Sequence, residues 1–243
     1  MHLLAQLSFF SVFAEKFHDN FIKDNRWEFL TSGLQNTLII TFFALLMGVL
    51  IGSFIAMVRT GYDQNSRRSG HLIAANAFCR LYLTVIRGTP VLIQLLIIYY
   101  VIFTSPNIDK IVVAIIAFGI NSGAYVAEII RSGIMSIDRG QTEAGRSLGL
   151  TSGQTMRLII MPQAIKNILP ALCNEFIVLL KETSVSGYIA IRDLTKGGDI
   201  IRSRTFEAFL PLLAVALIYL TLVLVLEFFV GKLEVRLRRG DMA

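Results

Sequence analysis

Charge is what this chain has least of. Only 16% of its 243 residues are Asp, Glu, Lys or Arg, against about a quarter in an average soluble domain. The deficit is uneven: residues 29–58, 88–108 and 208–226 contain no charged side chain. Runs of roughly 18 or more such residues are long enough to cross ~30 Å of hydrocarbon, so three of them argue against a soluble protein. Cysteine is almost absent as well. Cys79 and Cys173 lie in apolar or amphipathic segments, with neither metal spacing nor a disulfide framework, and read as free buried thiols. His2, His18 and His71 are scattered, so no metal centre is expected. There is no GxxxxGK[ST] loop to bind ATP. No converged His/Asp/Glu or Ser/Lys set suggests a membrane-embedded enzyme. No catalytic residue and no cofactor of the chain's own are therefore expected. The net charge of +6 would raise nucleic acid as the partner of a soluble protein; here basic residues flanking membrane spans account for it.

What is present is a series of apolar stretches. Spans are expected at about 32–58, 86–104, 110–131, 155–181 and 207–230. The chain divides accordingly into an extracytoplasmic or interfacial segment 1–29, a membrane domain 30–231 and a basic tail 232–243. Residues 3–14 are apolar but lack a basic start and a clear cleavage site. They read as a segment on the membrane surface, not as a secretory signal. Gly48 and Gly52 stand at GxxxG spacing, which either lets another helix approach or is ordinary glycine usage. Residues 71–87 are amphipathic, a lateral helix or a continuation of the second span, and Pro90 stands near a helix start, where proline is tolerated. Trp27 and Tyr62 mark membrane interfaces. Five spans put the termini on opposite sides. With the N-terminus outside and the C-terminus in the cytoplasm, the inner segments, with Arg67, Arg68, Arg236 and Arg239 among their residues, hold more of the 23 Lys and Arg than the outer ones.

The most informative stretch is 138–162, DRGQTEAGRSLGLTSGQTMRLIIMP. Gly140 can terminate the third span, and Thr142 can cap a new helix. Glu143 in its first turn suits the helix dipole. Gly149 can end that helix in a left-handed conformation. Thr151 and Gln154 have capping-box spacing for the next helix. The local chemistry thus predicts a helix of about two turns, bounded by glycine, between two spans. It is either a knob for a soluble partner or a capped connector.

This stretch resembles the signature loop of ABC importer permeases: Glu-Ala-Ala, three residues, Gly, nine residues, Ile-x-Leu-Pro. Here it reads Glu143-Ala144-Gly145, then Gly149, then Ile159-Ile160-Met161-Pro162. Gly145 replaces an alanine and Met161 a leucine. The flanks NSGAYVAEIIRSGI, PQAIKNILPALCNEFIVLLKETS and RGTPVLIQLLIIYY are similar to the polar amino acid branch, and the likeness covers about residues 30–230. It implies an all-α, five-span type I permease with a cytoplasmic coupling helix, in the bacterial inner membrane. It further implies a second permease chain, identical or related, an ATPase subunit that binds ATP and Mg, and an extracytoplasmic amino-acid-binding protein. On this resemblance Glu143, Ala144, Gly145, Leu148, Gly149 and Leu150 would meet the ATPase, with the leucines as apolar anchors. A stand-alone channel or secondary carrier is the competing class; five spans without an internal repeat disfavour it.

The substrate path is read from polar residues inside spans. An intramembrane carboxylate marks a polar pathway by default, which singles out Glu175. Asn174 adjoins it, and Lys181, Thr183 and Ser184 follow at the outer end of the same span. Glu175 could meet a substrate ammonium, with Thr183 or Ser184 at its carboxylate; the alternative is an internal pair with Lys181 or Lys166. Asn121, Ser122 and Tyr125 could line the same path. Glu128 and Arg131, three apart on one face, read as an ion pair or gate element. Pro162 and Pro170 each remove a backbone donor from the fourth span, consistent with a border on a cavity or a dimer axis, or with kinks that serve packing.

Overall fold

The computed structural model describes residues 11–64, 69–105 and 107–238. Residues 1–10, Arg67, Arg68, Arg239 and the end of the basic tail lie outside them. The described residues are helical nearly throughout. After a turn at His18–Ile22 come α1 (Trp27–Gln64), α2 (Gly70–Gly88), α3 (Val91–Ile97), α4 (Lys110–Met135) and α5 (Arg139–Ser147). Then follow α6 (Ser152–Thr155), α7 (Met161–Glu182), α8 (Leu194–Thr205) and α9 (Phe209–Arg238). Four helical stretches are long and apolar enough to cross a membrane: Trp27–Asp63, Lys110–Met135, Ser152–Ile189 and Phe209–Leu237. A fifth arises if the bent pair of α2 with Val91–Ile102 counts as one.

That bent pair corrects the sequence expectation of a continuous second span over 86–104. The chain turns by 107° between Gly88 and Val91. Thr89, which precedes a proline, is extended at φ −122°, ψ 145°, because the Pro90 ring disfavours helical backbone at the residue before it. The amphipathic stretch 71–87 is therefore a helix of its own, α2. The first span extends further at both ends than 32–58, and the fourth runs on through a tight turn at Thr183–Ile189.

Helix α4 is the centre of the bundle. Its buried positions include Ala114, Ala117, Gly119, Ser122, Gly123, Ala124 and Ala127. Small side chains let backbones approach where no hydrophobic effect drives helices together in lipid. The GxxxG question in α1 is answered here. A Cβ on Gly48 would lie 3.0 Å from Ser122, and one on Gly52 would lie 2.7 Å from Val126. The reverse face interlocks, since a Cβ on Gly119 would meet Met47 at 3.0 Å and one on Gly123 would meet Ile51 at 2.9 Å. Around this seam Ile40, Ala44, Leu95, Phe118 and Leu179 form one core. A second core, Phe21, Leu30, Leu194, Ile201, Leu210 and Val215, ties α8 to the starts of α1 and α9.

Candidate functional site

Helix α5 hangs between two spans and is fastened at both ends by local chemistry. Asp138 is its N-cap; the carboxylate accepts from Gly140 N at 2.6 Å. This corrects the expected start at Thr142. The helix begins one turn earlier, and Gly140 lies inside it. The other end matches the expectation. Gly149 has φ +82°, Leu150 N donates to Gly145 O at 3.1 Å and Gly149 N donates to Arg146 O at 3.0 Å. Those two bonds make a Schellman stop. The Thr151–Gln154 capping box is complete: Thr151 N donates to Gln154 Oε1 at 2.8 Å, and Gln154 N donates to Thr151 Oγ1 at 3.3 Å.

Glycine at 145, where the resemblance expected alanine, has a steric reason. Gly145 is buried, and a Cβ there would lie 2.7 Å from Thr155 Cγ2 and 3.0 Å from Ile159 Cδ1. Gly145 thus presses α5 onto the root of the fourth span and does not join the outward face. That outward face carries Glu143, Ala144, Leu148 and Gly149, all exposed, with Leu150 half-buried behind them. Leu148 is 80% exposed, a large apolar side chain on a polar helix. The arrangement is a short capped helix joined to α4 through residues 136–138 and to α6 through residues 148–151.

The polar residues inside the bundle separate into two groups. One is enclosed. The Ser122 hydroxyl donates to Glu175 Oε1 at 2.8 Å, so the Glu175 carboxylate bridges α7 to α4. Beside it, Asn121 Nδ2 donates to Gln94 Oε1 at 2.9 Å. Gln94 Nε2 in turn donates to Ile86 O at 2.7 Å and Thr89 Oγ1 at 2.8 Å. Gln94 therefore staples the break between α2 and α3 to the central helix. Sequence reading passed over it; the signal was a lone amide in the apolar run 91–97. Thr183 is buried too, its hydroxyl donating to Leu180 O at 2.8 Å.

The second group faces outward on α7. Asn174 and Lys181 are exposed, seven residues apart and so on one stripe of the helix, with Asn167 a further seven residues before Asn174. Ser184 is half-buried just past the C-terminal end of α7, in a groove shared with Lys196 and Asp199. Tyr125 is half-buried, with the Arg87 guanidinium 5.7 Å from its ring centroid. The eight candidate path residues are thus not one cluster: Asn121, Ser122, Glu175 and Thr183 are interior, Asn174 and Lys181 are on the outer face of α7, and Tyr125 and Ser184 stand between. Glu128 and Arg131 do pair, at 2.9 and 3.0 Å, and Arg131 also faces Asp63 at 3.7 Å.

At the far end from α5, the loop into α8 is locked by Asp193. Its carboxylate accepts from Thr195 N at 3.2 Å and Lys196 N at 3.1 Å, and Leu194 N donates to Thr37 Oγ1 at 3.1 Å. Burial pushes the Asp193 carboxyl up to about 6, against the backbone donors that favour its charged form.

Four or five membrane-spanning helices with a short capped helix between two of them define a multi-pass membrane protein. The description "Binding-protein-dependent transport system inner membrane component" matches residues 48–239, and the chain belongs to that family. It is an inner membrane permease subunit of an ATP-binding-cassette importer; the ATPase is a separate subunit, and the family context includes a binding protein. The chain is 37% identical over 212 residues to the glutamine transport system permease protein GlnP of Escherichia coli K12, covering 86% of this chain and 93% of that one. It is 37% identical over 214 residues to a putative glutamine transport system permease protein of Rickettsia bellii, with 86% and 93% covered. Among solved structures, "an amino acid ABC transporter with histidines" matches with a TM-score of 0.78 at 44% identity, over 86% of this chain and 94% of that chain. An inward-facing MetNI methionine transporter shares the fold, with a TM-score of 0.74 at 19% identity, over 88% and 99%.

Proposed function

We propose that the chain conducts polar amino acids, glutamine among them, as one of two permease chains in an importer, and that α5 is its coupling helix. The substrate class is supported by the relatives above, whose descriptions name glutamine or an amino acid. The single observation that carries the coupling role is the exposed Glu143–Ala144–Leu148 face on a helix capped at both ends and seated on the fourth span through Gly145. Glu143, Ala144, Leu148 and Gly149 meet a groove on the ATPase, which holds ATP and Mg. Leu150 backs the contact, and Gly145 sets the distance between α5 and its own span. The extracytoplasmic binding protein docks at the opposite end, near Ser184 and α8. In this arrangement segment 1–29 lies outside or on the surface, 30–231 is the membrane domain, and 232–243 is the cytoplasmic tail.

The polar stripe Asn167–Asn174–Lys181 is costly against lipid, which supports its facing a second permease chain or the path between the two. Glu175 and Asn121 lie behind that stripe and hold α7, α4 and α3 in register. The test is co-purification with the ATPase subunit and ATP-driven glutamine uptake into proteoliposomes. Glu143→Ala and Leu148→Asp should each reduce association and uptake while the permease stays monodisperse. Undiminished association and uptake in both variants would remove the coupling role from this face.

A further inference from the structure

A groove between α1, α2 and α4 gathers Arg59, Arg80 and Arg87 around about 410 Å³, with Thr84 and Glu128 on its wall. The groove keeps a positive excess: three guanidiniums share its lining with one carboxylate, Glu128, which the charges of Arg59 and Arg87 reach. Glu128 is also engaged by Nε and Nη2 of Arg131, and Asp63 faces Nη1 of the same guanidinium. Among the described residues no carboxylate lies within ion-pair distance of Arg59, Arg80 or Arg87. Arg59 Nε is buried without a hydrogen-bond partner among them. Arg80 and Arg87 instead rest over the rings of Tyr62 and Tyr125, at 5.9 and 5.7 Å. A ring face holds a guanidinium in place without using its in-plane N–H donors.

The position of this groove in the bundle narrows the ligand. Arg59 precedes the end of α1 by five residues and Glu128 the end of α4 by seven, which at 1.5 Å per residue is about 8–10 Å from the helix ends on the α5 side. With α5 on the cytoplasmic side, as in the function proposed above, and the membrane edge at those helix ends, that distance lies near the boundary of headgroups and hydrocarbon. Next to the cationic edge of α2, Phe78, Leu81 and Val85 are 73%, 61% and 50% exposed and offer an apolar track. Phosphate oxygens match arginine forks, and basic pockets between membrane helices on the cytoplasmic side take anionic headgroups. We propose that this groove binds the phosphate headgroup of an anionic phospholipid, with its acyl chains along α2. The apolar track favours a lipid over a free anion, which would need none.

The test is native mass spectrometry of the purified full chain after incubation with equal amounts of phosphatidylglycerol and phosphatidylcholine. Retention is read without transport, so it stands or falls independently of the amino acid assignment. The wild type should keep phosphatidylglycerol in clear preference. The double variant Arg80→Gln/Arg87→Gln should lose about 25-fold in that retention, roughly fivefold per arginine, and Arg80→Lys/Arg87→Lys should recover most of it. Excess inorganic phosphate should not displace the lipid. Equal retention of the two lipids, or unchanged retention in the glutamine variant, overturns the proposal. Full displacement by inorganic phosphate also overturns it, in favour of a free-anion site. If the glutamine variant does not fold, the lipid preference and the phosphate competition decide on the wild type alone.

Discussion

Gly145 is the residue where a small departure from a family pattern has the clearest physical cause. Without tertiary context a glycine in a two-turn helix is a cost of up to about 1 kcal/mol. In place, it is the only side chain short enough to let α5 touch Thr155 and Ile159. Gly145→Ala should therefore raise helix propensity and still weaken the protein, since overpacking typically costs about 1–3 kcal/mol. A lowered thermal midpoint in detergent, with reduced uptake per ATP hydrolysed, checks it. Asp193 gives a prediction in pH. Its folded value of about 6 lies above its ordinary 3.8, so the folded state holds the proton more tightly. The resulting stabilisation is complete below 3.8 and is lost as pH rises through about 6. Amide exchange in α8, corrected for intrinsic rate, should slow relative to Asp193→Asn as pH falls from 7 to 5. The variant keeps a capping oxygen and loses that pH dependence. Identical profiles would remove Asp193 as the titrating group.

At the scale of elements, the ends of α5 and α6 were readable because capping is local. A left-handed Gly149 and the Thr151–Gln154 box each involve atoms within a few residues, so spacing carries the information. The start of α5 was misread for the same reason: Asp138 and Thr142 are both competent caps, and local chemistry does not choose between them. Asp138→Ala should cost about 1 kcal/mol, while Thr142→Ala should be near neutral; urea or thermal midpoints of the two variants separate them. The break before Val91 was present in the sequence as Thr89-Pro90, but not its 107° magnitude or the bonds from Gln94 to Ile86 and Thr89 that span the bend. The α1–α4 seam belongs to this scale too. Gly52→Leu places a side chain where even a Cβ meets Val126 at 2.7 Å and Ala127 N at 2.8 Å. It should sharply lower the yield of monodisperse protein, whereas Gly61→Leu, where a Cβ would meet no atom of another element within 4 Å among the described residues, should be tolerated.

For the whole molecule, the prediction concerns sidedness. Leu148 at the α5 end and Phe206 between α8 and α9, 80% and 96% exposed, mark opposite ends of the bundle. In a background lacking Cys79 and Cys173, Leu148→Cys should react with a membrane-impermeant maleimide only in inverted vesicles, and Phe206→Cys only in right-side-out cells. The reverse pattern would place the coupling face outside, beyond reach of any ATPase. The candidate path was the least legible part. Glu175 and Asn174 are neighbours in sequence, yet one is enclosed and the other faces outward. A stretch of polar residues in one span says that a polar face exists, but not which members are consumed by internal hydrogen bonds.

Composition and local spacing determined by themselves that this chain is a helical membrane protein with a capped projection between two spans. Hydrocarbon length and helix capping are short-range constraints that one strand of sequence contains in full. Only the packed structure decided which glycines serve the α1–α4 seam, that Gly145 faces inward, and that Glu175 meets Ser122 and Asn121 meets Gln94. The Gln94–Asn121 and Ser122–Glu175 contacts join residues 27 and 53 positions apart, and their geometry exists only once α4 is enclosed by the helices around it; the packing of Gly145 needs α5 folded back on Thr155 and Ile159.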